Sequence, residues 1–363
     1  MLDRSQITSI DWVLIGLLIL NSLIGVAFIY SSSNYLPGNY ALKQFFWILV
    51  GLAALFIFLS LNYQYLVAYS LYFYIIAIII LAGVLLFGRL TAGAKSWIIL
   101  PFFQIQPSEI AKITVILVLA HIFSSYRKDY LTIGHGFLSG LIVGIPIFLV
   151  ALQPDLGTAL TYAPILLAVF VLVGLKKKTV IILVIIALLT VILGWNVFLR
   201  EYQKERVTTL LSPEKDPLGS GYHTIQSKIA IGSGGFLGKG YKKGTQSQLR
   251  FLPARHTDFI FSVIGEELGF FGVIIVFLFY FLLLARLFQS VLKSRDRAGV
   301  FIIFMVTLMI SFQFFINVFM TIGLFPIAGI PLPLLSYGGS SLISNYLAIS
   351  LVINVKMRRF VNI

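Results

Sequence analysis

The chain has 363 residues, of which 59% are hydrophobic and 11% charged, and its mean hydropathy is +0.99. Soluble domains carry about 25% charged residues, so a soluble globular fold is excluded and a polytopic integral membrane protein is expected. The net charge of +14 falls largely in loops that orient spans, which gives no reason to expect nucleic acid, and the lack of cysteine excludes disulfides, zinc thiolates and iron–sulfur clusters.

Met1 to Asp11 is polar with the single cation Arg4, and the apolar run Trp12 to Tyr30 follows without a small-residue cleavage site. This predicts a retained first span and not a signal peptide. Polar interruptions mark off ten spans, near 11–30, 45–61, 66–88, 107–126, 136–152, 158–175, 179–199, 260–286, 299–324 and 337–355. The expected fold class is therefore all-α, about ten transmembrane helices in a single membrane domain over 1–363. The stretch 200–259 is its one long hydrophilic segment. An even span count puts both termini on one side. With the termini inside, 13 Lys and Arg fall in cytoplasmic segments, against 3 (Lys43, Arg89 and Lys95) in short outer loops. The positive-inside rule then predicts cytoplasmic termini and an extracytoplasmic 200–259.

That topology sorts the rare polar residues. Gln106-Pro107-Ser108-Glu109 opens the fourth span at its outer end, with Lys112 three residues on. Proline suits a first helical turn, and the helix N-terminus favours a carboxylate there. A carboxylate and an ammonium inside a span need pairing or water. Either an ion pair locks the bundle or the two line a hydrated cavity, and the cavity wall is the expectation. Gln153-Pro154-Asp155-Leu156-Gly157-Thr158 is an outer turn in which Asp155 either caps the sixth span or faces the same cavity. The run Ile330 to Ser341 breaks an apolar stretch with two prolines, as a kinked connector or a re-entrant cavity lining. A glycine-rich stretch, Gly232 to Gly244, leads to Arg255-His256-Thr257-Asp258 at the start of the eighth span. It lacks a P-loop pattern, and its glycines permit close backbone approach or anion-binding turns. The four histidines, His121, His135, His223 and His256, lack metal-ligand spacing. Lys95, Glu109, Lys112, Asp155, Arg206, Asp258 and Ser336 to Ser341 thus all map to one face. A carboxylate beside cations there can take a proton from a hydroxyl while the cations hold a phosphate. The residues point to an outward site that acts on, or moves, an anionic lipid-borne substrate.

Five motifs, in order, carry a resemblance. They are Gln106-Pro107-Ser108-Glu109 with Lys112, Gln153 to Gly157, Gly244-Thr245-Gln246-Ser247-Gln248 leading to His256-Thr257-Asp258-Phe259-Ile260-Phe261, Gly265-Glu266-Glu267-Leu268-Gly269, and Ser336 to Ser341. Together they resemble the SEDS family (shape, elongation, division and sporulation) over nearly the whole chain. Asp216 to His223 and the Thr245-Gln246-Ser247-Gln248 variant resemble its elongation branch. The resemblance implies a ten-span peptidoglycan glycosyltransferase of the bacterial cytoplasmic membrane. It would polymerise lipid II with a class B penicillin-binding protein as partner.

The family's essential aspartate falls on Asp258, and its cavity positions fall on Glu109, Lys112, Asp155, Arg206 and Lys95. On that model Asp258 is the base in an inverting displacement, and Lys112, Arg206 and Lys95 neutralise the pyrophosphate. Glu109 orients Lys112, and Asp155 supports the cavity or a sugar. An ordinary aspartate, with a pKa of about 3.9, is a weak base at neutral pH unless tuned. A divalent cation can share the clamping task, although no sequence feature marks one. The rival readings are a lipid II flippase and a scaffold for cell-wall enzymes.

Overall fold

Long runs of Leu, Ile, Val and Phe leave the backbone to satisfy its own donors and acceptors, and in lipid a lone segment does this only as a helix. The computed structural model describes residues 8–33, 38–91, 94–99, 104–193, 201–211 and 220–358. The chain forms α1 (Trp12–Ser33), α2 (Tyr40–Ser60), α3 (Tyr63–Ala68) and α4 (Ser70–Phe87), then strands β1 (Arg89–Thr91), β2 (Ala94–Ile99) and β3 (Gln104–Ile105). There follow α5 (Pro107–Ser124), α6 (Ile133–Leu152), α7 (Leu156–Leu160), α8 (Ala163–Val173) and α9 (Lys177–Leu193). The hydrophilic segment holds α10 (Glu201–Leu211), α11 (Ser220–Ser233) and α12 (Thr245–Gln248). The last three helices are α13 (Ile260–Leu292), α14 (Arg297–Thr321) and α15 (Gly339–Met357).

Among the described residues, 9 helices are long and apolar enough to cross a membrane, with α7 and α8 acting as one. The predicted span 179–199 corresponds to α9, of 17 residues; its end, and Asp216 to Gly219 of the elongation-type motif, lie outside the described residues. The expected bundle of membrane helices carries one further element. The third-to-fourth connection is an antiparallel sheet in the order β1-β2-β3, with Arg89 opposite Trp97 and Ile98 opposite Ile105. Trp97, Ile98 and Ile99 are residues that favour a pleated surface, in a run too short to be read as a span.

The most buried spans are α5, α14 and α15, and α2, α4, α6 and α13 flank them with Phe, Leu and Ile exposed outward. Helix α13 is broken at Gly269, where φ is 64° and ψ −158°. The glycine-rich stretch straps this break: Phe270 N donates to Gly235 O at 2.8 Å, Lys239 N to Glu266 O at 3.0 Å and Gly240 N to Glu267 O at 2.9 Å. A Cβ on Gly269 would lie 2.3 Å from Gly238 N, so the stretch packs into the helix break and its Lys239 and Gly240 amides are spent on the carbonyls there.

Polar side chains gather at two opposite ends. Where α1 begins and α13 and α15 finish, Asp11 is ion-paired to Arg286 at 2.9 Å and to Lys356, and Asn354 Nδ2 donates to Phe58 O and Leu61 O at 2.7 and 2.6 Å. At the other end α5, α13 and α15 begin and the irregular connection 322–338 lies among them. Ile330, Leu332, Leu334 and Leu335 of this connection are buried, so it is packed against protein as broken backbone at membrane depth must be. Gly157 abuts it, and a Cβ there would stand 1.9 Å from Ala328 O. Gly157→Ala should therefore displace the connection and destabilise the purified protein by about 1–3 kcal/mol. Thermal unfolding in detergent reads this, and an unchanged midpoint would contradict the packing described.

Candidate active site

Asp258 is placed by what surrounds it in sequence. Phe259, Ile260 and Phe261 are buried at the head of α13, which leaves the aspartate partly exposed just before the helix. The preceding backbone is tied to the other side of the site: Tyr337 N donates to His256 O at 2.9 Å, and Ser336 Oγ to Thr257 O at 2.5 Å. Gln44 Nε2 in turn donates to Ser336 O at 3.1 Å. Across from the carboxylate stands Gly329, where φ is +68° and where a Cβ would lie 3.8 Å from Asp258 Oδ2. Arg206, exposed on α10, donates from Nη1 to Ile327 O at 3.1 Å, so its charge is anchored on the same connection.

The site makes Asp258 a stronger base than an ordinary aspartate. Burial pushes its acid up to about 6, the negative charge of Asp155 adds to the rise, and Arg206 and the Thr257 hydroxyl pull against it. Asp155 itself caps α7. It accepts from Thr158 N at 3.1 Å, from Thr158 Oγ1 at 2.9 Å and from Gln106 Nε2 at 2.8 Å. Its acid is also raised, chiefly by burial. The cap and the cavity position are thus one residue, joined through Gln106 to the start of α5. Gln106 N is itself held by Ser340 Oγ at 3.0 Å, which ties α5 to the start of α15.

Glu109 and Lys112 correct an expectation. Lys112 Nζ lies 2.9 Å from Glu109 Oε2, and their side chains are 1% and 6% exposed, so they form a packed ion pair and not a wetted wall. Nor do all the cations of the hydrophilic segment face a ligand. Lys239 pairs with Glu266 at 2.9 Å, Arg255 Nε donates to Ser32 O at 2.5 Å to close α1, and Lys242 Nζ sits 3.8 Å from the centre of the Tyr30 ring. Lys95 is exposed on β2, apart from the contacts that join Asp258, Arg206 and Asp155. Glu266 and Glu267 are wholly buried; Glu266 accepts from Gln246 N at 2.8 Å and Ser247 N at 3.0 Å, which makes it the anchor of α12. Two adjacent acids in an apolar run were the signal for that role. Among the described residues no three His, Asp or Glu form a group that could hold a metal.

A buried pair is costly to break from one side only. Lys112→Met should cost roughly 3–5 kcal/mol, because it strands the Glu109 carboxylate, and adding Glu109→Gln should restore much of that. Thermal unfolding of the single and double variants checks this; equal loss in both would contradict the packed pair.

The FtsW/RodA/SpoVE family model, described as cell cycle protein, matches residues 5–360. The peptidoglycan glycosyltransferase MrdB of Escherichia coli K12 is 42% identical over 290 residues, 79% of this chain and 78% of that protein. The peptidoglycan glycosyltransferase RodA of Treponema pallidum is 33% identical over 97% of this chain and 99% of its own. Among solved structures, a chain from work on structural coordination of polymerization and crosslinking by a peptidoglycan synthase complex superposes with a TM-score of 0.83 at 34% identity, covering 97% of this chain and 99% of that one. The crystal structure of Thermus thermophilus rod shape determining protein RodA gives 0.73 at 28% identity, covering 97% of this chain and 98% of that one. A model match across almost the whole length, and relatives above 30% identity over nearly all of it, show that this multi-pass membrane protein belongs to the FtsW/RodA/SpoVE family, the SEDS family that its five motifs resemble.

Proposed function

We propose that this chain is a peptidoglycan glycosyltransferase that polymerises lipid II into β-1,4-linked glycan for cell-wall elongation. The proposed setting is the outer face of the bacterial cytoplasmic membrane, with both termini cytoplasmic and a class B penicillin-binding protein as partner. Two supports stand behind it: relatives named MrdB and RodA are peptidoglycan glycosyltransferases, and a solved relative belongs to a synthase complex that polymerises and crosslinks. The observation that carries the chemistry is Asp258, partly exposed, raised in basicity by its packed setting, and coupled to the cation of Arg206.

The donor is the growing chain, held through an α-linked pyrophosphate, and the acceptor is the 4-hydroxyl of an incoming lipid II. Asp258 takes the hydroxyl proton, the oxygen attacks the anomeric carbon from the opposite face, and the bond to the pyrophosphate oxygen breaks. Undecaprenyl pyrophosphate leaves with the bonding electron pair. Inversion in a single displacement needs no covalent intermediate on the chain. Arg206, with Lys95 as a further cation, supplies positive charge where the diphosphate develops. Lys112 stands behind this clamp in its packed pair with Glu109, and Asp155 with Gln106 holds the adjoining wall.

A base of this kind contributes about 10²–10⁴-fold to rate. Purified, folded Asp258→Ala should lose at least 100-fold in lipid II polymerisation on that scale. In the wild type the ionised base is lost as pH falls through the raised value, so activity should drop across an acid limb near about 6; an ordinary aspartate would place it about two units lower. Glycan polymerised at the wild-type rate by Asp258→Ala would remove the base assignment. Lipid II movement without polymer would instead favour a flippase, and neither activity a scaffold.

A further inference from the structure

Helix α14 places one polar side chain directly behind Asp258. Asn317 is fully buried, and its Nδ2 donates to Asp258 O at 3.0 Å and to Ile330 O at 2.8 Å. These two carbonyls belong to opposite walls of the site. Asp258 carries the carboxylate, and Ile330 follows Gly329, the residue the carboxylate faces. The three successive carbonyls of His256, Thr257 and Asp258 are held by Tyr337 N, Ser336 Oγ and Asn317 Nδ2 respectively. The first two ties come from the connection itself, so they move with it. Only the third comes from a helix in the core, and it grips both walls through one nitrogen.

The chemistry of the grip is specific. Both partners are acceptors, so the amide must direct its NH2 group at them. Aspartate of the same shape would set oxygen against oxygen, and alanine would leave the buried Ile330 carbonyl and the part-buried Asp258 carbonyl without this donor. Either change frees the Asp258 backbone to turn its carboxylate outward.

We propose that Asn317 is a positioning residue for the glycosyl transfer, one that fixes the distance and aim of the Asp258 carboxylate relative to the Gly329–Ile330 wall. The proposal rests on the reading of Asp258 as the base. The charged groups facing that carboxylate are Arg206 from α10 and Asp155 at the head of α7.

The experiment compares wild type, Asn317→Ala and Asn317→Ser for lipid II polymerisation across pH, with thermal unfolding measured in parallel. A mispositioned base of about 1 Å costs on the order of 10²-fold in rate. Asn317→Ala should therefore lower kcat by about 10–100-fold and leave KM for lipid II within about threefold. Its acid limb should move below that of the wild type, because a carboxylate released toward water is less desolvated. Asn317→Ser keeps one donor and should fall between the two. A residue that serves only the fold would lower the unfolding midpoint without moving the acid limb. Unchanged kcat and limb in a folded variant, or failure of both variants to fold, overturns the proposal. A wild type with no acid limb, or an active Asp258→Ala, overturns the base assignment instead, so the two failures are told apart.

Discussion

Charge is expensive in a bundle that is mostly hydrocarbon inside and out, and that cost organises the molecule. Each ionised group must find a partner, or lie where water and headgroups reach it. The chain meets this by gathering its polar side chains at two opposite ends. At one, Asp11, Arg286 and Lys356 join the start of α1 to the ends of α13 and α15 and are satisfied by one another. At the other, Glu109 and Lys112 are likewise neutralised in place, but Asp258 is not closed off in a pair. It stands partly exposed at the rim, where burial and the charge of Asp155 raise its basicity and Arg206 restrains the rise.

This balance explains how an aspartate can serve as the base at neutral pH. A carboxylate fully in water is ionised but weakly basic, and one fully buried is basic but stays protonated. The start of α13 sets Asp258 between these limits, because Phe259, Ile260 and Phe261 sink into the core and hold the segment at the edge. The facing wall is backbone, not side chain: Gly329 leaves room in front of the carboxylate, and Arg206 is anchored to Ile327 beside it. Precision at such a site comes from ties to the carbonyls of His256, Thr257 and Asp258, most of which originate in the connection 322–338.

Much of this was legible in the sequence. Uncharged apolar runs located the spans, because lipid permits little else, and the order of Asp155, Arg206 and Asp258 along the topology put them on one face. Other parts were not legible. The pairing of Glu109 with Lys112 was foreseen as one of two arrangements, but spacing alone does not say whether water separates a pair. The sheet around Trp97 depends on pairing between short strands that carry no periodic signal. The glycine-rich stretch suggested an anion site, yet its amides pair with the carbonyls exposed by the break at Gly269, a contact set by tertiary packing. Asn317 is one polar residue in an apolar span, and only its neighbours show that it holds two walls together.

The account turns on the Asp258 end of the bundle opening to the outside of the cell. The chain has no cysteine, so a single one can be introduced and reached without background. Lys243→Cys would mark the exposed strap near the Asp258 end, and Arg295→Cys the opposite end beyond α13. A membrane-impermeant maleimide applied to intact spheroplasts should label the cysteine at position 243 at once and the one at 295 only after permeabilisation. Labelling in the reverse order would put Asp258 in the cytoplasm, where polymerisation of an outward-delivered lipid substrate has no place, and would contradict the account.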